Sequence, residues 1–482
     1  MDGIAGSGIA YAVLIGFVVF WLANGYFWSK RINTDEDFAV AGRSVGFAMG
    51  TATVMATWVT ANTILTAPEH GFDKGIWGLL GYAAVSAGVL LFSPMAKRIK
   101  DVMPHGVTSG EFFKLRYGRK TWGVYFVLGL AYLFAFLVTQ SMGAGLVLYA
   151  VFGIPYHIGM IAITIACVAY TMMGGLKSVI GMDFINTILI LAALVIVIPI
   201  ALTQMGVAEI YSGIMVNMPE RASVMSPIGL MFALSAPIFS LGEIFHSNIW
   251  WLRAHAMRDD NVRKSWIVGG LIWAFVPLIA GIPGLMAVAS GETPAHLNMI
   301  FPTMAVQFLG VAGAFMITVL VLASISSSLD SLLAGTSSLI VEDIYKSFIN
   351  PDANDKTMVL VQRLMILALG IVSIGLAWFQ VGTMGQILYF SGAFVCAMIW
   401  PIVFGLYDKT VSAVAANASM ISGTIVGILT NLYISPFGGP ITSAAVSLIA
   451  FLIARKLYPD NFDFANLDSY SIAARNSSSA LK

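Results

Sequence analysis

A stripe of four serines beside an aspartate is the feature of this 482-residue sequence best suited to chemistry. The stripe consists of Ser324, Ser327, Ser328 and Ser331. These positions recur at helical spacing in an apolar segment, so their hydroxyls share one helix face, with Asp330 at its edge. A carboxylate at membrane depth is costly unless it meets a cation, a proton or water. Serines also serve close helix packing, which we expect for Ser337 and Ser338. The stripe with Asp330 instead predicts a cation or proton site.

The composition is that of an integral membrane protein. Hydrophobic residues make up 58% of the chain and charged residues 10%, whereas soluble domains carry roughly 25% charged residues. A net charge of +1 without a basic stripe argues against nucleic acid as a partner. Cys167 and Cys396 lie in apolar runs and predict neither a disulfide nor a metal site. No nucleotide-binding, zinc-protease or nucleophile-elbow motif is found in the sequence, so we expect no enzyme.

Apolar runs long enough to span a bilayer fill the chain and predict an all-α fold with about thirteen transmembrane helices. The predicted spans are 8–29, 45–68, 76–96, 122–150, 155–173, 181–204, 226–252, 265–289, 302–340, 359–380, 386–406, 412–432 and 437–454. They leave no room for a separate soluble domain, so the lipid bilayer is a partner throughout.

The basic residues predict the orientation. With the N-terminus outside, every lysine and arginine except Lys74 and Arg221 falls on the cytoplasmic side. This count places Arg253 in a cytoplasmic loop and the C-terminus in the cytoplasm. The short loops favour a plasma membrane, and specifically a bacterial inner membrane.

Two spans have interruptions that predict an internal repeat. Polar residues gather near Ala56 to Thr60 in the second span, and Pro237, Ser240 and Gly242 interrupt the seventh. Paired breaks indicate inverted repeats with a binding site where the breaks meet. Five spans in each half require the halves to be inverted. The predicted units are a first flanking helix and loop (1–44), the first repeat (45–204), an extracellular loop (205–225), the second repeat (226–406), and two flanking helices with a tail (407–482).

The intramembrane polar groups are acidic on balance. Sodium prefers oxygen ligands, which an unwound helix and a facing row of hydroxyls both supply. Asp183 opens the sixth span and is either a second cation ligand or a helix cap. Acidic groups within spans, with no lysine or arginine clearly at the midplane, favour a neutral or cationic solute over a carboxylate. The residues leave sodium and proton coupling both open.

Four segments carry a family resemblance: DFAVAGRSVG, HGVTSGEFFKLRYG, YTMMGGLKSVIGMDFIN and SSSLDSLLAGTSSLIVEDIYK. Together they resemble the sodium:solute symporter family along most of the chain. The resemblance implies a leucine-transporter-like fold of five-plus-five inverted repeats with extra flanking helices. It also implies secondary active transport coupled to one or two sodium ions.

The resemblance assigns ion ligands by position. The common sodium site would use the carbonyls of Ala56, Val59 and Ser324 and the hydroxyls of Ser327 and Ser328. A second cation site, present in some members, would use Asp183 with Ser327, Asp330 and Ser331. Asp330 stands where the family has a serine, so this position strengthens the second site or binds a proton instead.

The urea and polyamine branch of the family is the nearest in local patterns, such as ATWVTANTILTAPEHG and HSNIWWLRAHAM. We therefore predict sodium-coupled symport of a small polar neutral or cationic organic solute, with urea or a polyamine favoured. The alternative is a proton-coupled symporter or a uniporter of a small carboxylate or amino acid. Predicted solute ligands are Trp58, Asn62, Thr63, Gln140, Ser240, Glu243 and Tyr389. The oligomeric state stays open.

Overall fold

The computed structural model describes residues 7–468 apart from 224, 292–296, 381, 383 and 436. At 7–10, 150, 385 and 389 it describes the backbone alone. The polar C-terminal tail, with Arg475 and Lys482, lies outside the described residues.

Twenty α-helices make up the described chain. Those of the first half are α1 (Ser7–Ser29), α2 (Asp35–Val40), α3 (Phe47–Trp58), α4 (Ala61–Lys74), α5 (Ile76–Ala83), α6 (Ala87–Val102), α7 (Ser109–Tyr117), α8 (Arg119–Phe152), α9 (Tyr156–Gln204) and α10 (Val207–Asn217). Those of the second half are α11 (Pro227–His246), α12 (Asn248–Ala256), α13 (Val262–Ala280), α14 (Ile282–Ser290), α15 (Ile300–Ile340), α16 (Asp355–Ala377), α17 (Met384–Cys396), α18 (Ile399–Tyr407), α19 (Ala413–Tyr433) and α20 (Gly438–Leu457).

The structure confirms an all-helical protein with many potential membrane crossings. Within the described residues, eleven helical stretches are long and apolar enough to cross a membrane. One of them, Tyr156–Gln204, is divided at Gly175. The predicted second span corresponds to α3 and α4, each too short to be counted by itself. The exact number of crossings, like the division into inverted repeats, stays a prediction.

The serine-rich half of α15 forms the centre of the fold. This helix contacts α9, α8, α3 and α4, so it is surrounded by protein. From Gly313 to Leu339, the buried residues of α15 include every member of the serine stripe and Asp330. The polar face predicted from the sequence is therefore enclosed within the helix bundle.

The break in the second predicted span lies at Val59 and Thr60, where the sequence places it. Thr60 is extended (φ −95°, ψ 171°) and caps α4. Its hydroxyl accepts a hydrogen bond from the Thr63 amide (3.1 Å), and the Thr63 hydroxyl accepts one from the Thr60 amide (3.2 Å). This capping box satisfies amides that the break would otherwise leave unpaired. Threonine side chains therefore stabilise the interruption.

The second break differs from the prediction. Helix α11 continues through Pro237 and ends at His246, and the chain is extended at Ser247 (φ −73°, ψ 125°) before α12 begins. Membrane helices tolerate proline where neighbouring groups satisfy the freed carbonyl. The break occurs instead where side chains can take over carbonyls: the Tyr125 hydroxyl donates to the carbonyl of His246 (2.6 Å).

Gly175 divides α9 by a backbone conformation that favours glycine. Its φ is 52° and its ψ −145°, a region that side-chain-bearing residues rarely adopt. A Cβ atom there would lie 2.4 Å from the carbonyl oxygen of Phe38 on α2. The neighbouring Lys177 binds Asp37 of α2 with an Nζ–Oδ1 distance of 2.7 Å. The kink thus fastens α2 to α9 and sets the direction of the segment that carries Asp183.

Replacing Gly175 with alanine should destabilise the protein by roughly 1–3 kcal/mol. An alanine disfavours these backbone dihedral angles, and its Cβ would clash with the Phe38 carbonyl. Thermal unfolding in detergent measures the effect. Gly123→Ala is the matched control, since a Cβ at this helical position has nothing within 4 Å. Equal unfolding temperatures for the two variants would contradict the role of Gly175.

Candidate ion and solute sites

Asp183 of α9 is the centre of a buried polar junction. Its Oδ2 accepts hydrogen bonds from the hydroxyls of Thr53 (2.5 Å) and Thr57 (3.3 Å), both on α3. Its Oδ1 accepts one from the hydroxyl of Ser327 on α15. The carboxylate is fully buried, so these bonds replace the water that a charged group needs. Asp183 therefore joins α3, α9 and α15, and is no mere cap of α9.

Arg253 of α12 completes this junction, contrary to its expected place in a cytoplasmic loop. Its Nη2 lies 3.1 Å from Asp183 Oδ2, and both side chains are 0% exposed. The Nη2 group also donates to the hydroxyl of Ser331 (2.6 Å), and Nε donates to that of Thr53 (2.9 Å). Arg253 was expected in a loop because the predicted seventh span ends at 252, whereas α12 continues to Ala256. Asp183 therefore has a buried basic partner that the sequence analysis did not identify.

Asp330 lies beside this junction with partners of its own. Its Oδ2 accepts a hydrogen bond from the Tyr170 hydroxyl (2.6 Å). Its Oδ1 lies 3.2 Å from the hydroxyl of Ser331. The structure thus brings the four residues predicted for a second cation site into one region, with the Arg253 guanidinium among them.

Ser328 faces the break between α3 and α4. Its hydroxyl lies 3.1 Å from the carbonyl oxygen of Thr57, at the end of α3, and 3.1 Å from that of Ser324. Ala56, Val59 and Ser324 are all fully buried around this contact. The predicted sodium ligands are therefore close together, except that the Ser327 hydroxyl is engaged by Asp183.

A cavity of about 590 Å³ extends from the same break along α4. It is lined at one end by Trp58, Asn62 and Glu243, and at the other by Lys74 and Arg221. The 14 residues of α4 cover about 20 Å between these ends. Ile228, which is 57% exposed, also lines the cavity, so it reaches the surface of the protein.

The inner end of the cavity combines a carboxylate, aromatic rings and an amide. The Trp58 indole donates to Glu243 Oε2 (2.7 Å) and stacks on Trp273, with ring centroids 4.5 Å apart. Glu243 is 2% exposed. Within the described residues, no protein group forms a hydrogen bond with the side-chain amide of Asn62, which is also buried. These groups can donate hydrogen bonds to a small polar molecule and accept hydrogen bonds from it.

The remaining predicted solute ligands do not all line the cavity. The Thr63 side chain lines the cavity, whereas Ser240 does not and donates to the carbonyl of Val85 (2.5 Å). Gln140 accepts a hydrogen bond from the Ala61 amide (3.3 Å) at the start of α4. The Tyr389 side chain lies outside the described residues.

Sequence reasoning missed several aromatic residues that line the cavity: Tyr82, Tyr132, Phe136 and Trp273. The only available signal was a large aromatic residue within an apolar span. That pattern is equally typical of helix packing.

Comparison with known proteins identifies the relatives of this chain. The model of the family described as "Sodium:solute symporter family" matches residues 38–423. A urea-proton symporter of Oryza sativa subsp. japonica is 26% identical over 88% of this chain. The chain spans 65% of that relative's length. A high-affinity proline transporter of Bacillus subtilis is 29% identical over 84% of this chain and 88% of the relative. These relatives are described as transporters and not as enzymes.

Solved structures confirm the fold. A sodium-coupled sialic acid symporter in a substrate-bound, outward-open state superposes with a TM-score of 0.80 at 20% identity, covering 95% of this chain and 99% of that protein. This similarity confirms the leucine-transporter-like architecture that the family resemblance implied.

The cavity predicts which introduced cysteines react with a water-soluble thiol reagent. Asn62→Cys places a thiol in the cavity, so it should react several-fold faster than Ser240→Cys, whose position is bonded to Val85. Labelling followed by mass spectrometry, on protein in lipid nanodiscs, measures both rates. The unsubstituted protein is the background control, because Cys167 and Cys396 are buried free thiols. Equal rates at the two positions would contradict the cavity described above.

Proposed function

The chain belongs to the sodium:solute symporter family, and on that premise we propose that it is a secondary active transporter that carries a small polar solute together with sodium by alternating access. The contact between the Ser328 hydroxyl and the Thr57 carbonyl carries this proposal. It sets α15 against the break of α3 at the point where backbone carbonyls lose their helical partners.

The proposed sodium ligands are the carbonyls of Ala56, Val59 and Ser324 with the hydroxyls of Ser327 and Ser328. Sodium, a hard cation, is suited to such a set of oxygen atoms, and the burial of Ala56, Val59 and Ser324 next to the break supports it. Bound sodium would join α3 to α15 through this set. An ion bound here therefore favours the arrangement in which α3 and α15 are in contact over one in which they are apart.

Sodium and solute are coupled, in this proposal, through the break itself. Trp58 lies immediately before the break and lines the solute cavity, and its carbonyl accepts a hydrogen bond from the Thr63 hydroxyl (3.0 Å). An ion that fixes the end of α3 also fixes the inner end of the cavity. Because linkage is reciprocal, sodium and solute should each raise the affinity for the other.

Urea or a polyamine is the solute that the cavity favours. Its inner end has the Glu243 carboxylate, the Trp58 and Trp273 rings and the Asn62 amide, while charged residues of both signs line its outer end: Glu69, Asp73, Lys74 and Arg221. Carboxylate and aromatic faces bind amino or ammonium groups. The rice relative is described as a urea-proton symporter, which agrees with a solute of this kind.

A second candidate is a proton-coupled symporter. The buried carboxylate of Glu243 in the cavity is a possible proton carrier, and the name of the rice relative includes a proton. The uniporter of a small carboxylate or amino acid has weaker support, because the inner end of the cavity is acidic.

We place the protein in a bacterial inner membrane, with the N-terminus outside and the C-terminus in the cytoplasm. In this orientation the end of the cavity near Lys74 and Arg221 opens outward. In this orientation, the conformation described above would be open to solute from outside the cell.

Ser328→Ala should raise the sodium concentration for half-maximal uptake by about tenfold, because one ligand worth about 1.4 kcal/mol is lost. Sodium titrations of uptake into proteoliposomes measure the change. Ser338→Ala is the control, a buried serine of the same helix away from the break. Unchanged sodium activation in Ser328→Ala would overturn the proposed sodium site.

Glu243→Gln should raise the half-saturating solute concentration by ten- to a hundredfold, as expected for losing a charge-assisted hydrogen bond worth about 1.5–3 kcal/mol. The experiment is solute titration of uptake at saturating sodium. Ser240→Ala should leave this concentration nearly unchanged, because Ser240 does not line the cavity. If Glu243→Gln keeps the wild-type affinity but no longer responds to a proton gradient, the proton-coupled candidate is favoured instead.

A further inference from the structure

We infer that the guanidinium group of Arg253 is a tethered cation that takes the place of a second coupling ion, so that one sodium ion is transported with each solute. This inference rests on the proposed function, since it sets the number of ions in that cycle. It also makes a claim about the site that does not depend on transport.

The guanidinium is bound as an ion in a dedicated site would be. All three of its nitrogen atoms donate to oxygen atoms: Nε to Thr53, Nη2 to both Asp183 and Ser331, and Nη1 to the carbonyl of Ile249 (3.1 Å). The oxygen atoms come from a carboxylate, two hydroxyls and a carbonyl. This is the mixture of ligands that a hard monovalent cation would also take.

Arg253 cannot easily leave this place. Helix α12 is held at its end, where the Val45 amide donates to the carbonyl of Ala256 (3.0 Å) and the Arg258 amide donates to that of Val45 (3.0 Å). These bonds fix the end of α12 against the start of α3. The side chain is 0% exposed, so its withdrawal would leave the charge of Asp183 buried and unpaired.

A sodium ion in the same place would have to displace this guanidinium. The Nη2 group already uses Asp183 Oδ2 and the Ser331 hydroxyl, two of the oxygen atoms that the second ion would share with Ser327 and Asp330. Two positive charges a few ångströms apart in a buried region repel strongly. Asp183 and Ser331, assigned by resemblance to a second sodium site, instead hold the chain's own cation.

The tethered cation also positions the proposed sodium site. Asp183, held by Arg253, binds the hydroxyl of Ser327. The next residue, Ser328, faces the break of α3. Arg253 is thus a positioning residue for the sodium site, acting through Asp183 and α15.

Chemical rescue tests the site directly. Arg253→Ala should lower uptake by about tenfold or more, because a buried carboxylate loses its partner. Low-millimolar guanidinium chloride should then raise the unfolding temperature of the purified variant in nanodiscs, whereas equal potassium chloride should not. The wild-type protein and the double variant Arg253→Ala/Asp183→Asn are the controls, and neither should show the rise. A folded Arg253→Ala protein without this guanidinium-specific rise would overturn the inference.

Ion counting tests the wild-type protein independently of any variant. The ratio of labelled sodium to labelled solute entering proteoliposomes should be one, and a ratio of two would overturn the inference even if Arg253→Ala does not fold. If uptake needs no sodium at all, the proposed function fails. The rescue experiment alone then decides whether Arg253 fills a cation site.

Discussion

The buried pair of Arg253 and Asp183 is the interaction on which the arrangement of the central helices depends. An Nη2–Oδ2 distance of 3.1 Å with no exposure of either side chain means that each charge relies on the other and on a few hydroxyls. Buried pairs of this kind add little net stability, but breaking one is costly. Through Thr53, Ser327 and Ser331 the pair fixes α3, α9, α12 and α15 in one register.

This junction lies next to the two places where transport is proposed to occur. Ser327 belongs to the junction and Ser328 to the break of α3, so adjacent residues of α15 connect them. Trp58, just before the break, and Asn62, just after it, line the cavity. In the proposed function, a change at the ion site reaches the solute through these few directly bonded residues.

Much of this arrangement follows from the sequence, because length and hydropathy identify membrane-spanning helices. The serine stripe and the break at Val59 and Thr60 were predictable, since hydroxyls at helical spacing and clustered threonines have direct structural consequences. The second break was expected near Pro237 and lies at Ser247. A helix can end where a tertiary partner replaces the lost helical hydrogen bond, as the Tyr125 hydroxyl does for the His246 carbonyl. Arg253 was missed for a similar reason: a basic residue just past a predicted span is expected in a loop, and only the folded chain shows that Arg253 is buried against Asp183.

Uptake by the reconstituted wild-type protein tests the central claim most directly. Labelled urea, putrescine, proline and acetate would be offered separately to proteoliposomes, with and without an inward sodium gradient at fixed pH. For a sodium-coupled symporter, urea or putrescine should accumulate above its external concentration only when the sodium gradient is present. Accumulation driven by a proton gradient without sodium, or accumulation of acetate alone, would contradict the proposed function.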